Sequence, residues 1–224
     1  MLPPCCVVCG KVGVWLCETC AEQIPFADHP SCPRCGNAYT GSGLCNRCRT
    51  APLRVAPIRY AFLYDGVIRD AIHTLKYRGG RDVAGTLARR MAVAWARQLD
   101  SRDRHRTSDL LIPVPLHAER EVQRGYNQSV LLARELSSEI GVPWAEDVLF
   151  RIRPTASQTN LPWADRRRNV QQAFACSTMY NLRGLRITLV DDVATTGATL
   201  DACAVALLAR GARSVSAFTV AHAV

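Results

Sequence analysis

Asp191 and Asp192 stand side by side after the apolar run Ile187-Thr188-Leu189-Val190, and the small-residue stretch Thr195-Thr196-Gly197-Ala198-Thr199 follows them. Adjacent carboxylates repel unless something compensates, and sugar hydroxyls or a Mg²⁺ ion would do so. The stretch 195–199 has little side-chain bulk, so its backbone N–H groups can approach an anion, and its threonine hydroxyls add donors. Leu200, Ala204, Leu207 and Leu208 recur at helical spacing behind it. The loop then opens a helix, where free N–H groups and the dipole favour negative charge. One short segment thus carries groups for both ends of a sugar phosphate. An Asp-Asp turn or a Thr-Thr-Gly cap alone would be commonplace; the two in this order, at a strand–helix junction, are far more specific.

The second chemical signal lies at the other end of the chain. Eight cysteines form Cys-x-x-Cys pairs: Cys6/Cys9, Cys17/Cys20, Cys32/Cys35 and Cys45/Cys48. That spacing turns two thiolates toward one ion, and two such knuckles complete a tetrahedral Cys₄ site suited to Zn²⁺. Sequential pairing, Cys6–Cys20 and Cys32–Cys48, is the simplest; interleaving is open from spacing alone. Disulfides would need an oxidising compartment, and four copies outnumber what redox chemistry uses. A closed Cys₄ site is structural, and two such zincs would supply the folding energy that a head of some fifty residues with few apolar side chains lacks. Cys176 and Cys203 read as core or helix residues, and Cys5 stays ambiguous.

The remaining elements must place these groups. The chain has 224 residues, 48% hydrophobic and 21% charged, as in a soluble globular protein. Its apolar runs are too short to span a bilayer, and Met1-Leu-Pro-Pro-Cys-Cys lacks the look of a signal peptide, so no membrane insertion and a cytoplasmic location are expected. The net charge of +9 comes from arginine, with Lys11 and Lys76 the two lysines; it favours anionic partners. We divide the chain into a double zinc ribbon at 1–50, a proline-bearing linker at 51–58 and a catalytic-type domain at 59–224. Strands are expected near 59–64, 110–115, 148–152, 187–190 and 214–220. Helices are expected over 67–79, 83–99, 129–140, 166–174 and 198–210. Strands alternating with helices give an α/β fold with a doubly wound parallel sheet.

The segment 187–199 resembles the phosphoribosyl pyrophosphate (PRPP) signature of type I phosphoribosyltransferases. Further segments point the same way: Ala71-Ile-His-Thr-Leu-Lys76-Tyr, Ile112-Pro-Val-Pro-Leu-His117, Arg124-Gly-Tyr-Asn-Gln128 and Asn169-Val-Gln-Gln-Ala-Phe174. In this order, behind the cysteine pairs, they resemble the ComF family over almost the whole chain. The resemblance implies a double zinc ribbon fused to a type I phosphoribosyltransferase fold, and a link to uptake of transforming DNA. It implies that Mg²⁺–PRPP is bound with its 5′-phosphate on Thr195, Thr196, Gly197, Ala198 and Thr199 and its ribose on Asp191 and Asp192. The loop after the 110–115 strand, with Leu116, His117, Arg120 and Arg124, would hold pyrophosphate. The four-residue spacing of Arg120 and Arg124 puts them on one side if that loop is helical. Asp191, Asp192, Arg120, Arg124 and Lys76 are the candidate catalytic residues. Lys76 either reaches pyrophosphate or snorkels to solvent, and His117 is either catalytic or a plain loop residue. Residues 151–168, with Arg151, Arg153, Gln158 and Arg166, are expected to form a lid. Arg166, Arg167 and Arg168 would equally suit nucleic-acid phosphates, and Trp163 a stacked base. The acceptor stays unnamed, and single-stranded DNA or the DNA-uptake machinery is the alternative partner.

Overall fold

The computed structural model describes residues 3–98, 108–153 and 173–223. In chain order its elements are α1 (Glu18–Glu22), α2 (Asn46–Thr50), β1 (Ile58–Leu63), α3 (Gly66–Tyr77), α4 (Val83–Gln98), β2 (Leu110–Pro113) and α5 (Ala118–Arg124). Then follow α6 (Gln128–Ile140), β3 (Leu149–Arg151), β4 (Phe174–Cys176), β5 (Arg186–Ala194), α7 (Ala198–Ala209) and β6 (Ser214–His222).

Four strands make one parallel sheet in the order β1-β6-β5-β2. Parallel strands need crossovers that cover both faces, so their side chains are apolar on both sides. Along β5, Ile187 and Leu189 face α7, with Leu200, Cys203, Ala204 and Leu207. Val190 belongs to the opposite core, with Ile72 and Leu75 of α3, Leu87 and Met91 of α4 and Leu132 and Leu136 of α6. The sheet is doubly wound. Strands β3 and β4 form a separate antiparallel pair, Leu149 opposite Cys176 and Arg151 opposite Phe174.

The cysteine-rich head contributes to both cores. Cys6, Cys17 and Cys20 pack with α3 and α4, whereas Cys32, Cys35 and Cys48 pack with Leu53, Val55, Ile58 and Leu200. Among the described residues no helix is long and apolar enough to cross a membrane.

The strands depart from the sequence expectation in three places. Strand β5 does not stop at Val190 but runs through the acidic pair to Ala194, because its ladder with β6 continues to Ala194 opposite His222. Strand β2 stops at Pro113, two residues early, in a stretch whose prolines lack an N–H. Phe174 starts a strand instead of ending a helix; residues 166–172 lie outside the described residues.

Candidate active site and metal centres

The carboxyl edge of a parallel sheet is where open α/β folds bind ligands, and the acidic pair falls on that edge. Asp192 is 3% exposed and takes Lys76 Nζ on Oδ1 at 2.8 Å, while its Oδ2 has no hydrogen-bond partner among the described residues. Burial alone would lower the Lys76 ammonium, but the Asp192 carboxylate outweighs it and holds the pKa above the ordinary value. Asp191 Oδ1 accepts from Ser129 Oγ at 2.8 Å and from the Asp192 N–H at 2.9 Å. Burial, and then the charge of Asp192, push the Asp191 carboxyl up to about 7.

This raised value has a measurable sign. The ¹³C carboxyl resonance of Asp191 is expected to titrate near 7, against about 3.9 for an unperturbed aspartate. The folded chain then holds a proton that the unfolded chain has lost. The group's contribution to stability therefore falls as pH rises from about 4 to about 7, and is level above that. A midpoint near 4 would refute the arrangement.

Lys76 also lines a second feature. With Tyr77, Gly79, Arg120, Gln123, Arg124 and Tyr126 it encloses a cleft of about 440 Å³. The loop expected to carry Arg120 and Arg124 is the helix α5, which brings both arginines to the cleft one turn apart. Gly125, at φ 78°, closes that helix in the left-handed conformation. Arg124 donates to Gln128 Oε1 and lies 5.2 Å from the Tyr77 ring centre. Tyr126 donates to the Leu75 carbonyl, and Arg81 lies 4.5 Å over its ring. The cleft wall is thereby tied to the end of α3.

The loop Thr195 to Gly197, expected with Ala198 and Thr199 to hold a phosphate, leads directly into α7. Gly197 caps that helix at φ 73°, and a Cβ there would stand 2.8 Å from Ile58 Cδ1 and 3.0 Å from Leu53 Cδ1. Both the backbone angle and the space select glycine. Thr196 Oγ1 accepts from the Ala198 N–H at 3.3 Å.

Other expected residues sit differently. His117 precedes α5 with Nδ1 3.7 Å from Glu119 Oε2; neither it nor the half-buried Leu116 lines the cleft. Arg151 is in β3 with its guanidinium 5.6 Å from the Phe174 ring centre, and burial and then Arg120 lower its pKa. Arg153 follows β3 and is exposed. Gln158 and Arg166, with Trp163, Arg167 and Arg168, lie outside the described residues.

Sequence reasoning missed Ser129, whose only signal was its place beside the Arg124–Gln128 segment. It also missed Tyr77 and Tyr126 as cleft walls. His222, 1% exposed at the end of β6, carries its pKa down to about 4 through burial.

The eight paired cysteines form two clusters in the sequential arrangement, Cys6/Cys9/Cys17/Cys20 and Cys32/Cys35/Cys45/Cys48. Sulfur–sulfur distances are 3.8 Å for Cys6–Cys17 and Cys9–Cys17 and 3.7 Å for Cys35–Cys45. A tetrahedron with Zn–S bonds of about 2.3 Å has edges of about 3.8 Å, so the sulfurs fit zinc. Burial opposes ionisation of Cys6 and Cys32, yet N–H donors from Cys9 and Cys17, and from Cys45 and Cys35, bring each thiol down to about 6. Cys20 is held up at about 12 by the Cys17 thiol and by burial; a bound cation would ionise it outright. The donor sets and the fold of the head support structural zinc.

Comparison with known proteins agrees with this anatomy. The double zinc ribbon domain family model matches residues 1–49. The DNA utilization protein YhgH of Escherichia coli O157:H7 is 33% identical over 221 residues, covering 96% of this chain and 95% of that protein. Competence protein F of Haemophilus influenzae is 31% identical, covering 93% and 90%. Competence protein ComFC of Bacillus subtilis is 26% identical, covering 91% and 82%. Among solved structures, the chain aligns with a purine phosphoribosyltransferase from Pyrococcus horikoshii at 18% identity and TM-score 0.38, covering 61% of this chain and 72% of that one. Such identity to YhgH and competence protein F, sustained over nearly the full length, shows that the chain belongs to the ComF family.

Proposed function

We propose that this chain binds Mg²⁺–PRPP and transfers ribose 5-phosphate to an acceptor with release of pyrophosphate, in the service of DNA uptake. One observation carries the reading. Lys76 meets Asp192 at 2.8 Å and also lines the cleft of Arg120 and Arg124. A single residue therefore joins an acidic ribose-type site to a cationic pocket, as a ligand with a pentose in the middle and pyrophosphate at one end requires.

On this reading the 5′-phosphate rests on residues 195–199 at the start of α7. Asp191 and Asp192 take the ribose hydroxyls, and Asp192 Oδ2, which has no partner among the described residues, gains a donor. Magnesium would arrive on the diphosphate oxygens, keeping several waters and at most one or two carboxylates, which this pair can supply. Arg120, Arg124 and Lys76 stabilise negative charge as the C1–O bond breaks and pyrophosphate leaves with the bonding pair. The acceptor's lone pair then bonds C1 and its proton passes to solvent. Preorganised charge is the main device, each contact being worth on the order of 3 kcal/mol. The division at 1–50, 51–58 and 59–224 belongs to the same reading, as does a closing role for residues 151–168.

The test is pyrophosphate release from Mg²⁺–PRPP, compared with the Asp191→Asn/Asp192→Asn variant. A loss of about a hundredfold or more is expected. Equal rates would remove the site assignment.

A second reading is a non-catalytic adaptor that senses PRPP or holds single-stranded DNA. Relatives named for DNA utilization and competence, together with the net charge of +9, favour it. Anisotropy with labelled single-stranded DNA over a salt series distinguishes it: an adaptor binds with a steep salt slope, and silence at low salt removes the nucleic-acid version.

A further inference from the structure

We propose that Arg47, in the second zinc ribbon, is a positioning residue for the phosphate loop, so that the metal-set knuckle aims the loop's amides. The inference rests on the sugar-phosphate reading of residues 195–199.

Arg47 lies between Cys45 and Cys48, two sulfur donors of the second cluster. Its Nη2 donates to the backbone carbonyl of Thr196, across 149 residues of chain. A trans peptide is planar, so the Thr196 carbonyl and the Gly197 N–H point in opposite directions. A guanidinium that fixes the carbonyl on the ribbon side therefore fixes the Gly197 N–H on the other side. A cationic donor also polarises that peptide and makes its N–H a better donor.

Further contacts join the ribbon and the linker to the same loop and helix. Asp201, 4% exposed in the first turn of α7, accepts from the Arg54 N–H and, at 3.3 Å, from the Val55 N–H. The Arg34 guanidinium of the same ribbon donates to the Leu53 carbonyl at 2.6 Å, and the Arg34 backbone carbonyl accepts from the Ile58 N–H at 2.9 Å. Leu53 and Ile58 are the side chains that a Cβ at Gly197 would meet. Ribbon and linker thus brace the loop from behind at its carbonyl, its glycine and its helix. The first ribbon has no such contact among the described residues; its Glu18 meets Thr86 and Arg89 of α4 instead.

The test uses the full chain as Arg47→Ala, Arg47→Lys and Arg89→Ala, with calorimetric titration of ribose 5-phosphate and, separately, of pyrophosphate with Mg²⁺. Zinc content and Tm are read on each protein. Arg47→Ala is expected to keep its zinc, to bind ribose 5-phosphate about tenfold more weakly, and to bind pyrophosphate within twofold of wild type. Lysine can still supply one charged donor, so Arg47→Lys recovers part of the loss. Arg89→Ala changes neither affinity. Unchanged ribose 5-phosphate binding by Arg47→Ala overturns the inference, and so does an equal loss for both ligands. If the wild-type chain binds neither ligand, the sugar-phosphate reading itself fails, and the inference falls with it.

Discussion

Lys76→Met is expected to be the most damaging single substitution among the groups gathered at the sheet's carboxyl edge. Asp192 is almost wholly enclosed, its side chain 5% exposed, and Lys76 is the cation that meets it. Removing one partner of such a pair strands a buried charge, which costs about 3 kcal/mol or more. For a chain of this length that lowers Tm by roughly 6–12 °C. The double variant Lys76→Met/Asp192→Asn is expected to recover much of the loss, since no carboxylate is left unpaired. On the functional reading, both lose affinity for pyrophosphate-bearing ligands, because both lose the lysine. Stability and affinity should therefore separate in the double variant. A Lys76→Met protein as stable as wild type would mean that the pair does not hold Asp192.

Loss of either metal centre should have a comparably large effect. Native mass spectrometry is expected to count two zinc ions per chain, one for each four-cysteine cluster. Cys48→Ser should keep one. Structural zinc in isolated finger peptides contributes about 10–16 kcal/mol at neutral pH, as much as the whole stability of a typical domain. Cys32, Cys35 and Cys48 share a core with Leu53, Ile58 and Leu200, so the damage reaches the start of α7 as well as the ribbon. We expect Tm to fall by more than about 10 °C. Cys203→Ser, outside both clusters, should leave the zinc count unchanged. Two zincs in the Cys48→Ser protein would contradict the assignment of ligands.

Much of this anatomy was legible in the residues because the signals were local. Cys-x-x-Cys spacing fixes which sulfurs can share an ion, and the structure adds only that the pairs are taken in sequence. The junction at 187–199 declared itself because apolar run, acidic pair, glycine and helical spacing follow one another directly. Arg120 and Arg124 announced a shared face by their separation, which α5 realises. What stayed hidden depended on long-range packing. No local pattern marks Arg47 as a partner of Thr196, or Asp201 as an acceptor for the linker, since those partners meet only once the ribbon docks. The end of β5 was misplaced for the same reason. Aspartates read as a strand terminator, but the β6 ladder carries the strand past them. Strand β4 is three residues long, too short for periodicity to declare itself.

On the proposed function, one site holds a pentose phosphate and a diphosphate side by side. Calorimetric titration of Mg²⁺–PRPP into the wild-type chain, repeated with saturating ribose 5-phosphate and then with saturating pyrophosphate, tests it most directly. PRPP is expected to bind more tightly than either fragment and to be displaced by each of them. Absence of any PRPP binding, or PRPP binding indifferent to both fragments, would contradict it.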